Sequence, residues 1–136
     1  MKKTNNQGFS LVELIIVIAI MAVLIGVLAP QFIKYVESSR YQKDVSAIEE
    51  VRNATQIALS EETVYNQVFG TSPITSFTID NTGALVLTTG ALRTSLESSI
   101  SFPLKLASKT YKATGATTTF TIGANSVSAN ILPKVS

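Results

Sequence analysis

The chain holds no cysteine and no histidine in its 136 residues. Without cysteine there is no disulfide framework, no thiolate nucleophile and no thiolate metal site, and the redox compartment cannot be read from thiols. Without histidine the side chain best suited to proton transfer near neutral pH is missing, as is the commonest transition-metal ligand. Most familiar catalytic constellations are therefore excluded, and the expectation is a protein that is not an enzyme and needs no cofactor. Carboxylates thin out too: beyond Glu62 only Asp80 and Glu97 remain, too few for a calcium cage unless backbone carbonyls dominate. The Asp80-Asn81 pair therefore reads as a turn, and no metal site is expected. The formal charge of +2 is carried by Lys2 and Lys3; without the first eight residues, nine basic side chains balance nine acidic ones. A clustered basic face supplies most non-specific nucleic-acid affinity, so DNA is a weakly supported partner.

What is present begins with a short polar, basic stretch, Met1 to Gly8. From Leu14 to Ala29 follows an unbroken apolar run, LIIVIAIMAVLIGVLA. Extended back to Phe9 and on to Ile33, it reaches the ~20 residues that cross a bilayer core, with Glu13 as its single charge. A membrane-spanning helix is predicted over 9–33. A secretory signal is the competing reading, since Lys2 and Lys3 mimic its basic start and Val27-Leu28-Ala29 its cleavage site. The run is longer than such signals use, and Pro30 would directly follow the cut. Orientation stays open, because Lys34, Arg40 and Lys43 on one flank face Lys2 and Lys3 on the other.

From Gln31 to about Val68 no glycine or proline interrupts, and Tyr41, Val45, Ile48, Val51, Thr55, Ala58 and Glu62 recur at spacings of three and four. That is helical periodicity with one face that must pack, so residues 34–69 are predicted as an amphipathic half of the same helix. Joined, Phe9 to Val68 would make a rod of about 90 Å at ~1.5 Å per residue. Pro30 removes one hydrogen bond inside it, and Gly26 weakens the same turn. Gly70, Ser72 and Pro73 supply the stop.

Beyond Pro73 the period becomes two. Phe77 and Ile79 alternate with polar residues, Asp80 to Gly83 reads as a turn and Ala84 to Leu87 as the returning strand. Ala91 to Ile100 reads as a short helix. Leu104–Lys112, Thr117–Ile122 and Val127–Ile131 read as three further strands. The expected fold class is α+β: a long N-terminal helix packed through its amphipathic half on a small antiparallel sheet in residues 70–136. The dense Ser and Thr here suit an outer sheet face. Lys105, Lys109 and Lys112 with Tyr111 form a modest basic-aromatic cluster that a solvated strand face also explains. Phe9, Phe32, Tyr35 and Tyr41 suit helix packing better than aromatic conduction.

Glu13 is the most informative single residue. A carboxylate in an apolar span costs about 3 kcal/mol on insertion scales and usually has a partner, yet no cation follows within the span. A cut after Gly8 would create an α-amino group on Phe9, four residues away and mostly protonated at neutral pH. The amine of the same chain or that of a packed neighbour would serve, the second arrangement setting axial register. Snorkelling of Glu13 to the interface is the alternative.

Gly8-Phe9-Ser10-Leu11-Val12-Glu13-Leu14-Ile15 resembles the prepilin processing motif of type IV pilins and related pseudopilins, and Pro30, Gln31, Phe32 and Tyr35 match the pattern after that family's transmembrane segment. The resemblance is close from Lys2 to about Tyr41 and architectural beyond. It implies a leader, residues 1–8, that stays cytoplasmic, and cleavage between Gly8 and Phe9 with N-methylation of Phe9 by a prepilin peptidase. It also implies a precursor in the cytoplasmic membrane with its C-terminal domain outside, then assembly by dedicated machinery into a helical homo-oligomer, an extracellular pilus. Phe9 and Glu13 would be the assembly residues, with Gly26 and Pro30 in a stretch that loosens on assembly. The implied function is a structural pilus subunit for adhesion, motility or DNA uptake. The alternatives are a pseudopilin of a secretion or competence system and a single-span anchored binding module that never polymerises. Many family members staple their C-terminal region with a disulfide, which this chain cannot form.

Overall fold

One helix, α1, runs from Leu11 to Ala58 in the computed structural model, which describes residues 8–135. The leader expected at the N-terminus lies, up to Gln7, outside the described residues. The chain divides into two compact units, one ending at Val36 and the other beginning at Glu37.

In the first unit every residue from Gly8 to Tyr35 is exposed, including Phe9, Leu14, Ile18, Leu24 and Phe32. The helix is long and apolar enough to cross a membrane by length and composition. A helix suits an apolar solvent because its backbone groups are satisfied within the segment. α1 continues through Gly26 and Pro30 without a break. Pro30 has no N–H to give, so the Gly26 carbonyl four residues back loses its usual helical donor.

In the second unit α1 buries Asp44, Ile48, Val51, Thr55 and Ala58, a stripe at alternating spacings of four and three. Thr55 is tolerated there because its hydroxyl donates to the Val51 carbonyl at 2.7 Å. The rest of this unit is a helix α2 (Glu62–Phe69), strands β1 (Ser76–Ile79) and β2 (Leu85–Val86), helices α3 (Ala91–Ser99) and α4 (Lys109–Lys112), and strands β3 (Thr118–Ile122) and β4 (Val127–Ala129). The four strands form one antiparallel sheet in the order β2-β1-β3-β4. Phe77 on β1 pairs with Phe120 on β3, their rings stacked 4.7 Å apart. With Ile79 and Ile122 they form the inner face of the sheet, in one core with Ile48, Val51, Leu92 and Leu96. Burial of each such side chain contributes about 1.5–3 kcal/mol. The α+β expectation, a long helix with a small antiparallel sheet, is what the structure has.

Two expected elements are different. The helix does not run on to Val68: α1 ends at Ala58, and the Ser60 and Glu61 amides donate to the Ile57 and Ala58 carbonyls in a tightened turn at 2.9 and 3.0 Å. α2 then starts afresh, burying Val64 and Val68 while Glu62, expected on the packed face, stays exposed. Leu104–Lys112 is not a strand. Its Ala107, Ser108 and Lys109 amides go to acidic side chains of α1, its Leu104 amide goes to the Gly83 carbonyl, and its last four residues form α4. The strands at 84–87, 117–122 and 127–131 are present but shorter, and α1 begins at Leu11, not Phe9.

Asp44 organises that segment. Its carboxylate is buried and accepts from the Ala107 amide at 2.9 Å, the Ser108 amide at 2.8 Å and the Ser108 hydroxyl at 2.6 Å. A buried charge is tolerable only when its lone pairs are occupied, and charge-assisted bonds are the strong ones. One turn earlier and one more, Glu37 accepts from the Lys109 amide at 2.6 Å. The C-terminal stretch is tied by hydrogen bonds in place of a disulfide. Tyr41 donates to the Leu132 carbonyl at 2.8 Å, Tyr111 accepts from the Leu132 amide at 3.2 Å, and the two rings stack 6.0 Å apart.

Asp44→Ala leaves two amides and a hydroxyl unsatisfied, and urea unfolding of the detergent-solubilised full chain is expected to lose about 3 kcal/mol. Burial pushes the Tyr111 phenol above its usual value of 10.0, against the Leu132 amide bond, which lowers it. A raised folded value means stability is fully present below about pH 10, where the unfolded tyrosine begins to ionise, and declines as pH rises through the higher folded value. Tyr111→Phe is expected to flatten that alkaline decline in a pH series of melting curves.

Candidate functional site

The α1 N-terminus is built from four consecutive residues. Ser10 precedes the first helical residue, and its hydroxyl accepts from the Val12 amide at 3.3 Å. Glu13 reaches back and its carboxylate accepts from the Ser10 amide at 2.8 Å. The Ser10 carbonyl takes the first helical bond, from the Leu14 amide at 3.2 Å. Together these make a capping box, which satisfies two otherwise orphaned donors. The S-x-x-E spacing that signals it is plain in the sequence, but reading Glu13 only as a charge in search of a cation hides it. Ser10 is thus the residue the sequence analysis missed.

Phe9, Glu13, Leu14 and Val17 line one groove of about 370 Å³, so the structure brings Phe9 and Glu13 together as their spacing suggests. Gly8 and Phe9 are exposed on either side of the expected cleavage point, Phe9 at 94%. Among the described residues Glu13 has one backbone donor, and the span from Phe9 to Ile33 holds no cationic side chain. One amide lowers the cost of a carboxylate among apolar side chains but leaves its charge in place. The chemistry the arrangement offers is electrostatic pairing: an acid held at the helix start, beside the position where cleavage would expose an ammonium. Gly26 and Pro30 lie more than two turns further along α1 and take no part in this groove.

The remaining sequence candidates are accounted for locally. The Asp80 carboxylate accepts from the Thr82 hydroxyl at 2.6 Å and from the Thr82 and Ala84 amides at 2.8 and 3.1 Å, in a turn closed by Gly83 at φ 84°. Those bonds, the Thr82 hydroxyl foremost, hold its carboxyl below the usual range. Among the described residues no cluster of acidic side chains is placed to hold a metal ion. In the basic-aromatic cluster Lys105, Lys109 and Lys112 are exposed, but Tyr111 is buried against Tyr41 and has no free face for a base to stack on.

A family model described as the prokaryotic N-terminal methylation motif matches residues 3–29. Among curated proteins the chain is similar to Prepilin peptidase-dependent protein A of Clostridium perfringens (strain 13 / Type A), 30% identical over 67 residues. Both matches support a type IV pilin-like protein. The aligned stretch is 49% of this chain and 48% of that relative, so the chain spans about half the length of the curated protein it matches. No solved structure gives a significant match. The motif match takes in Gly8, Phe9, Ser10, Glu13 and Gly26 and stops one residue short of Pro30. It supports a pilin or pseudopilin type of protein, and the apolar N-terminal helix fits membrane anchoring of a precursor.

The capping box predicts that Ser10→Ala in the micelle-bound full chain costs the first turn about 1 kcal/mol. Amide hydrogen exchange at Val12 is expected to accelerate by about fivefold at that cost, with residues beyond Val17 unaffected. Unchanged protection at Val12 would contradict the cap.

Proposed function

We propose that this chain is the structural subunit of a type IV pilus, made as a membrane-anchored precursor and assembled through the apolar half of α1. A prepilin peptidase cuts between Gly8 and Phe9 and methylates the new Phe9 amine. The C-terminal unit lies outside the cell, and an assembly machine in the cytoplasmic membrane packs the α1 helices of many copies into a filament that serves adhesion, motility or DNA uptake. The chain itself performs no catalysis in this reading. The name of the Clostridium relative, a protein dependent on prepilin peptidase, supports the processing step.

The observation that carries the proposal is the position of Glu13. Its carboxylate sits on an exposed, otherwise uncharged apolar stretch, one helical turn from the residue whose amine processing would free, inside the matched motif. An ammonium from a packed neighbour neutralises the acid and fixes the axial offset between copies. Apolar side chains from Leu14 to Ile33, unburied within their own chain, are buried against those of other copies, first exchanging lipid and then excluding it. Gly26 and Pro30, where one helical bond is already missing, are where α1 yields as the copies pack.

Glu13→Ala and Glu13→Gln are expected to cut the filaments sheared from cells by at least about tenfold, the equivalent of 1.4 kcal/mol per contact. The precursor should still be cleaved and should accumulate in the membrane fraction. Filaments of normal length and number from either variant would overturn the proposal.

A further inference from the structure

The second unit is electrically neutral overall but sharply divided. From Glu37 to the C-terminus it carries eight basic and eight acidic side chains. Six of the cations, Arg40, Lys43, Lys105, Lys109, Lys112 and Lys134, lie on three stretches that the fold draws together around residues 37–44 of α1, where this unit begins. Glu37 and Asp44 hold segment 107–109, Tyr41 holds Leu132, and Thr110 holds the Val135 amide at 3.0 Å. All six cations are exposed, and among the described residues none is in an ion pair. The two acids within these stretches are occupied by backbone donors.

Glu49 and Glu50 lie further along α1, and Glu61 and Glu62 open α2 just past its end, where the Glu61 carboxylate accepts from the Ser95 hydroxyl of α3 at 3.1 Å. On α3 Arg93 pairs with Glu97 at 2.8 Å, and among the described residues Glu61 and Glu62 are exposed with no ion-pair partner. From Asp44 to Ala58 α1 covers about 20 Å at ~1.5 Å per residue, and that distance keeps the two poles from neutralising each other within one chain.

We propose that the basic pole is an interaction surface for a second copy of this chain, and that its complement is the acidic pole around Glu61 and Glu62. Neutrality with segregated charge fits a self-partner better than an anionic membrane or a nucleic acid, toward which the acidic pole and the zero net charge are repulsive or indifferent. Two different surfaces meeting end to end form a heterologous contact, which repeats as an open helical array unless its rotation closes a ring. The inference rests on the filament reading and adds the contact between C-terminal units that stacks them.

The test is a charge exchange in the full chain. Lys109→Glu with Lys112→Glu, and separately Glu61→Lys with Glu62→Lys, are expected to lower sheared filament yield by about tenfold each, and all four together to restore it to within about twofold. Because the chain has no cysteine, Lys109→Cys with Glu62→Cys in one chain should also give a ladder of multimers on non-reducing gels after mild oxidation of whole cells. Either single-cysteine variant should stop at dimers. Wild-type yield from both charge pairs, or no rescue by the quadruple variant, or no ladder, would overturn the contact between poles while leaving the Glu13 result intact. Loss of filaments only on changing Glu13 would retain the filament reading without this surface.

Discussion

Between Leu11 and Ile33 every side chain of α1 is exposed, whereas from Asp44 to Ala58 every third or fourth one is buried. Exposed surface of the first kind is far beyond what scattered surface leucines amount to, and contiguous apolar patches of that size mark a partner or a membrane. The second stretch is an ordinary amphipathic helix that closes the core under a small sheet. Everything distinctive about the chain follows from joining these two demands in one element. The helix has to be continuous, it has to change its periodicity near residue 37, and any polar group in its first part has to be accounted for individually.

Two carboxylates on α1 show how that accounting is done. Asp44 is enclosed and takes four donor contacts from the Ala107 and Ser108 backbone and the Ser108 hydroxyl, enough to make the acid the organising point of the segment it grips. Among the described residues Glu13 takes one, from the Ser10 amide. An acid with a single amide donor in apolar surroundings still favours a cation, and the proposed function supplies it from the amine that processing would uncover. The same capping geometry that orients Glu13 in the uncut chain would have to be shared or exchanged when that amine arrives. Asp44 is therefore a finished interaction and Glu13 an unfinished one.

The parts of the structure that were legible in the sequence are those set by local period. The apolar run, the three-and-four stripe from Ile48 to Ala58, the Phe77-Ile79 strand and the Asp80 turn each announce themselves within a few residues. What was hidden depends on partners distant in sequence. The end of α1 at Ala58 comes without glycine or proline, because the gain lies in redirecting Val64 and Val68 into the core. Leu104 to Lys112 alternates like a strand, but the Ala107, Ser108 and Lys109 amides are claimed by Asp44 and Glu37, more than sixty residues away. Of the site, Phe9 and Glu13 stood out through their chemistry, while Ser10 did not, since a serine at a helix start carries no charge to draw attention. Charge segregation was likewise invisible, because six cations scattered over 95 positions become a pole only when the fold gathers them.

The central claim is that Glu13 is held for an amine that exists only after cleavage. Mass spectrometry of the N-terminal peptide from filaments sheared off intact cells tests it most directly. A peptide beginning at Phe9 and heavier by one methyl group on its α-amine is the predicted result, whereas a chain that still begins at Met1, or that starts at any residue other than Phe9, would contradict the account.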